Sequence, residues 1–111
     1  MSKYKAKRTT TPDGITHDSK KEAARWGELL LLEHAGEIRD LKRQVVIPLI
    51  GRDGPMKTRT GRAMRITVDF TYEDRRLNWA LVYEDSKGMP TRDYEVRRAV
   101  AGAMGIEIKE S

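Results

Sequence analysis

The 111-residue chain contains no cysteine and two histidines. Without thiols there is no disulfide framework, and His17 with His34 supplies too few ligands for a zinc site. Long apolar runs are also missing. The leucine run Leu29–Leu32 is far short of the roughly 20 residues that cross a bilayer. The opening stretch MSKYKAKRTTTPDG carries no apolar segment of the signal-peptide kind. No repeat and no low-complexity segment is visible. These absences lead to the expectation of a cytoplasmic protein with no membrane partner, and the length suits one domain with a modest core.

What the chain does have is charge. Lys and Arg total 22 against 17 Asp and Glu, a formal net charge of +5 and a pI near 9.6. A small basic domain favours an anionic partner, of which nucleic acid is the commonest. Charge alone does not choose between that and a protein that is merely basic.

Residues 1–14 read as a polar, basic arm with a turn at TPDG, and residues 15–111 as the domain. Ser19 followed by Glu22 is a capping-box pattern, with Asp18 as a rival cap. It opens a helix through KKEAARWGELLLLEHAG that stops at Gly36, with Ala23, Trp26, Leu29 and Leu30 as its apolar stripe. A strand is expected near residues 43–50, where Pro48 suggests an edge or a bulge. GRDGPMKTRTGRAMR is turn-rich and basic. RITVDFTYED alternates, Ile66, Val68, Phe70 and Tyr72 on one face and Thr67, Asp69 and Thr71 on the other. EDRRLN reads as a hairpin turn and WALVYEDSK as the return strand. A second helix over about 92–104 and a short strand IEIKE complete the order α-β-β-β-α-β. The expected fold class is α/β (α+β), helices packed on a small mixed sheet.

The stretch YEDSK holds the candidate chemistry. Acids at the tip of an apolar strand are costly unless paired, solvated or bound to a metal. Asp85 and Lys87, two apart on a strand, point to one side, and Asp69 stands on the polar face of the preceding strand. If the strands are neighbours, the three converge. Two carboxylates beside a lysine suit phosphodiester hydrolysis, because hard oxygen ligands hold Mg²⁺ against a phosphate. Lys87 would orient the attacking water or neutralise the transition state.

Asp69, then Asp85-Ser86-Lys87 after a gap of sixteen, resembles the D…(D/E)-x-K signature of the PD-(D/E)XK, or restriction-endonuclease-like, nucleases. DGITHDSKKEAARWGELLLLEHAGEIRDLKRQVVIPL, then ITVDFTY, then YEDSKG before a helix, is similar to small phage and prophage members of that superfamily. Those are related to endonuclease-I-type Holliday-junction resolvases and to the TnsA nuclease. The resemblance covers about residues 12–110 and implies a restriction-endonuclease-like core. It also implies a metal site of Asp69, Asp85 and the Ser86 carbonyl, with Glu22 as a further acid, Lys87 as the catalytic lysine and Gln44 beside the site. Mg²⁺ would be the cofactor, with Mn²⁺ as a substitute, DNA the partner and a homodimer the assembly. If the chain is phage-encoded, the compartment would be the host cytoplasm. Val68 stands where the superfamily name has proline, and Ser86 where an apolar residue is expected.

Each residue also has a structural explanation. Glu22 is fully accounted for as a cap. Asp69 could pair with Arg65 or Arg75, and Asp85 with Lys87. Glu84, on the opposite face from Asp85, reads as solvated or salt-bridged. His17 and His34 read as surface residues, and Leu29–Leu32 as core. Arg52, Lys57, Arg59, Arg62 and Arg65 form one candidate phosphate-tracking stretch, Lys3, Lys5, Lys7 and Arg8 a second, and Arg97 and Arg98 a third. A non-catalytic nucleic-acid-binding accessory on the same fold is the alternative function, and a basic RNA-binding protein of unrelated fold a weaker one.

Overall fold

The structure, a computed structural model, describes residues 8–86 and 91–111. Lys3, Lys5, Lys7 and Lys87 lie outside the described residues.

Two short strands, β1 (Thr9–Thr10) and β2 (Thr16–His17), pair antiparallel across the expected TPDG turn. The Asp13 carboxylate accepts the Ile15 N–H at 3.1 Å and the Thr11 hydroxyl, and Gly14 takes φ +86°, a conformation glycine adopts without strain. This hairpin runs across the boundary drawn after residue 14.

The helix α1 (Lys20–His34) starts where the cap predicted it. Ser19 is extended and its hydroxyl accepts the Glu22 N–H at 3.1 Å. Gly36, at φ +78°, closes the other end. Ala23, Trp26 and Leu29 are buried and Leu30 and Leu32 partly so, but Leu31 is 73% exposed. The four-leucine run is thus core on one side only, because a helix turns about 100° per residue and cannot bury four in a row against one sheet.

The sheet strands are β3 (Ile38–Pro48), β6 (Arg65–Asp74), β7 (Ala80–Asp85) and β8 (Ile108–Glu110). Between β3 and β6 lies a small hairpin, β4 (Ile50–Gly51) with β5 (Gly54–Pro55). The sheet order is β3-β6-β7-β8; β3, β6 and β7 are antiparallel, and β8 joins β7 in parallel after the helix α2 (Arg92–Ala103). Parallel neighbours need such a crossover. Two helices on a mixed sheet is the α+β arrangement anticipated, and β3, with Pro48 at its end, is an edge as proline requires.

Two apolar clusters hold the layers together. Trp26, Leu29, Ile38, Phe70 and Tyr72 pack under α1, with Trp26 stacked on Phe70 at 5.9 Å between ring centroids. Ile47, Leu49, Ile66, Val68, Tyr94, Ala101 and Ile108 pack around α2. Full burial of a Leu or Phe side chain contributes about 1.5–3 kcal/mol, and truncating Leu29 to Ala would cost about 2–5 kcal/mol. The apolar alternation on β6 appears as expected, but its polar face does not stay wet, since Asp69 and Thr71 are buried as well.

One feature of the sheet positions the site. Pairing of β6 with β7 runs from Asp74 opposite Ala80 to Phe70 opposite Glu84 and stops there. Asp69 and the Asp85–Ser86 corner therefore stand where two neighbouring strands part.

Candidate active site

Asp69 bridges that gap. Its Oδ2 accepts the backbone N–H of Ser86 at 2.8 Å, across 17 positions of sequence, and its Oδ1 receives a long contact of 3.4 Å from Gln44 Nε2. Gln44 sits within β3 at φ +52°, left-handed backbone that costs a non-glycine residue of order 1–3 kcal/mol. Such strain inside a strand persists when the surroundings demand it, and here it accompanies a side chain directed at an acid.

Glu22 arrives from the first turn of α1. Its backbone N–H serves the cap, while its carboxylate turns away and accepts from His17 Nδ1 at 3.0 Å, with Arg43 Nη2 at 3.7 Å. The capping box is thus half formed: Ser19 caps and the Glu22 side chain serves elsewhere. Burial pushes the Glu22 carboxyl above its ordinary range; His17 pulls it down, and the adjoining Asp69 carboxyl pushes it up again. Acids in contact out of water cannot both ionise cheaply.

Asp85 is fully buried at the end of β7. Its carboxylate lies by the Tyr94 hydroxyl, and burial together with that carboxylate raises the phenol's pKa. The next residue, Ser86, is buried too, with a hydroxyl that has no hydrogen-bond partner among the described residues. Glu22, Gln44 and the Ser86 peptide are therefore assembled around Asp69, and the Asp85 carboxylate lies by Tyr94. Of the two arginines considered as partners of Asp69, Arg65 is exposed and Arg75 reaches Glu37 at 3.9 Å.

Among the described residues no three His, Asp or Glu side chains form a ready cage for a metal ion. Mg²⁺ does not need one, since it keeps several waters and takes one or two carboxylates. Two adjoining acids, the Gln44 amide and a strand-end carbonyl offer hard oxygen donors. The donor set fits such an ion.

Residues 1–110 match the family described as "Protein of unknown function (DUF1064)". The chain belongs to that family. Among curated proteins and among solved structures, nothing matches it.

In this DUF1064 chain one residue departs from its sequence reading. His17 is not a surface residue but is fully buried, because β2 carries it beneath the N-terminus of α1 against Trp26, 6.1 Å between rings. Glu84 is salt-bridged but not solvated. It is fully buried and accepts from Arg25 Nε at 2.6 Å, Arg25 Nη2 at 3.0 Å and the Tyr72 hydroxyl at 2.5 Å. His34 is exposed, as expected.

The basic residues divide. Arg52, Lys57, Arg59, Arg62 and Arg65 are all exposed on the β4–β5 hairpin, the turn after it and the start of β6. A bridge between Lys57 and Ala63 and the Thr58 carbonyl, which accepts the Gly61 N–H at 2.9 Å, shape the second turn, with Arg59 at its tip. Arg97 and Arg98 differ. Arg97 donates to the Arg65 carbonyl at 2.7 Å and to Asp93 at 2.9 Å; Arg98 donates to Glu110 at 2.5 Å and to the Ile108 carbonyl at 2.9 Å. These two pin α2 to β6 and β8, so their donors serve the fold.

Sequence reasoning passed over His17, Arg43 and Tyr94. His17 had a signal of sorts, lying five residues before an acid at a helix start, but only the hairpin turns it inward. Among the described residues no helix is long and apolar enough to cross a membrane.

Proposed function

We propose that this protein is a Mg²⁺-dependent DNA endonuclease of the PD-(D/E)XK kind, selective for branched, junction or nicked DNA. The observation that carries the reading is the link from Asp69 to the peptide N–H after Asp85, with the Glu22 carboxyl alongside. Those contacts support the D…D-x-K reading as far as Ser86; Lys87 enters from the motif.

In this reading Asp69, Asp85, Glu22 and the Ser86 carbonyl hold Mg²⁺, and Mn²⁺ substitutes. A bound metal supplies Lewis acidity to a phosphate oxygen and lowers the pKa of water. The chain's own groups do the rest. Gln44 orients Asp69 through its amide, Lys87 aligns water or offsets charge at phosphorus, and the exposed cations of residues 52–65 follow the backbone. Arg65 lies four residues from Asp69, about 13 Å along the strand, so that surface leads away from the site along bound DNA. In this reading recognition rests on DNA shape and backbone, and symmetric cutting of two strands calls for a homodimer.

The five exposed cations also suit a second reading, a nucleic-acid-binding accessory without catalysis. Supercoiled plasmid and a four-way junction, incubated with Mg²⁺, Mn²⁺ or EDTA, separate the two. The nuclease reading expects metal-dependent cleavage that Asp69→Asn abolishes. Binding without cleavage in any metal selects the accessory.

A further inference from the structure

We infer that His17 is a positioning residue of the proposed site, holding the Glu22 carboxylate in the orientation a divalent cation requires. The inference rests on the nuclease reading and extends it to a residue outside the D…D-x-K pattern.

The Glu22 side chain is unusual in having no part in the cap. Ser19 already satisfies the Glu22 N–H, so helix initiation would proceed with an apolar side chain at this buried position. Keeping a carboxylate there costs free energy, and the adjoining Asp69 adds to that cost. His17 is what fixes its direction. The ring is fully buried, its Nδ1 is 3.0 Å from Glu22 Oε2, and its Nε2 is 3.3 Å from Thr11 Oγ1. Its neighbour Trp26 is itself held by Phe70 and by a 2.7 Å hydrogen bond from Nε1 to Asp13. Imidazole held at both edges cannot swing. Arg43 Nη2 approaches the same oxygen, Oε2, at 3.7 Å. The carboxylate is thus anchored through Oε2, and the inference assigns Oε1 to the cation. An outer residue that orients a ligand in this way typically accounts for 10- to 100-fold in metal affinity.

Isosteres separate this role from simple packing. An Asn amide nitrogen falls near the place of Nδ1, and a Gln amide nitrogen near that of Nε2. His17→Asn should keep Mn²⁺ affinity within about threefold, whereas His17→Gln should weaken it by about 10- to 100-fold, read by electron paramagnetic resonance without DNA. Equal loss in both variants, or loss in neither, would overturn the role of His17. Wild-type protein gives a second test that needs no substitution. The chain has two histidines, so ring ¹⁵N resonances of His17 and His34 separate readily. Mg²⁺ should shift those of His17 and leave His34 in place. Shifts at the Asp69 and Asp85 amides with an unmoved His17 ring would remove His17 from the site while leaving the nuclease reading intact. Absence of any divalent-ion binding by the wild type would instead overturn the reading and this inference together.

Discussion

Glu84 and Asp85 are adjacent, equally buried and both acidic, yet the fold treats them differently. Around Glu84, Arg25 donates twice and Tyr72 once. Burial alone would raise that carboxyl; the guanidinium and the hydroxyl outweigh burial and hold it below its ordinary range, while the Arg25 pKa rises in return. Around Asp85 the contacts are of another kind, its carboxylate lying by the Tyr94 hydroxyl. Asp69 binds the following peptide, Glu22 adjoins Asp69, and the Glu22 carboxyl is pushed up rather than down. A buried carboxylate whose charge is matched inside the fold is a structural joint. Glu22 and Asp69 instead set carboxyl beside carboxyl, and burial together with that contact raises the Glu22 pKa.

The strongest way to break this contrast is to neutralise one acid of the candidate site. Asp69→Asn or Asp85→Asn should cut Mg²⁺-dependent cleavage about a thousandfold, near 4 kcal/mol in the barrier. Urea unfolding should show stability unchanged or higher, since repulsion is relieved. A large loss of stability would class these acids with Glu84.

The opposite result is expected at the joint. Arg25→Met strands Glu84 as an uncompensated buried charge, and urea unfolding should fall by about 3 kcal/mol. Arg25→Met combined with Glu84→Leu should restore most of it, because an apolar pair often replaces a buried ion pair at little cost. If the double variant stays as unstable as the single one, the pair does more than match charge.

Glu22→Gln sharpens the comparison further. Ser19 keeps the cap, so the melting temperature should barely move, while cleavage falls at least about tenfold, near 1.4 kcal/mol. Full cleavage would return Glu22 to the cap. On the basic surface, Arg59→Ala with Arg62→Ala should weaken DNA binding evenly across sequences and reduce the salt slope by about 1.8, from two phosphates lost. An unchanged slope would mean that those arginines are merely solvated.

The smallest effect is expected at Asp13. Hydrogen bonds from Thr11 and Trp26 lower its pKa from 3.8 to about 2. A depressed folded pKa contributes stability that is fully present above the unfolded value and lost as pH falls through the folded one. Trp26 fluorescence should therefore record a small acid transition between pH about 4 and 2 that Asp13→Asn removes. Persistence of that transition in the variant would assign it to another acid.

Several of these residues were legible in the sequence because their signals are local. Ser19 three before Glu22, Gly36 after the apolar stripe and period-two alternation over Ile66–Tyr72 report contacts within about four residues. The two helices, the order of the four main strands and the mixed α+β class followed, but β3 begins at Ile38 rather than near residue 43 and the β1–β2 and β4–β5 pairs were not foreseen. Asp69 and Asp85 stood out from strand alternation, Gln44 and Ser86 were named through a resemblance, and the Gln44 amide and the Ser86 N–H both reach Asp69. His17 was misjudged because a lone histidine in a polar stretch carries no period, and Leu31 because a run of leucines hides which side is wet.

Side-chain partnerships were beyond reach for a physical reason. The contacts that define the site and its neighbour join residues 17, 25 and 59 positions apart. No local energy selects among acids at those separations. Glu84 receives Arg25 because pairing with β6 carries it under α1, and Asp69 receives the Ser86 N–H because that pairing stops one residue early. Composition and periodicity settled the elements and supplied the acids. Sheet register, a tertiary property, decided which acid was neutralised and which were gathered.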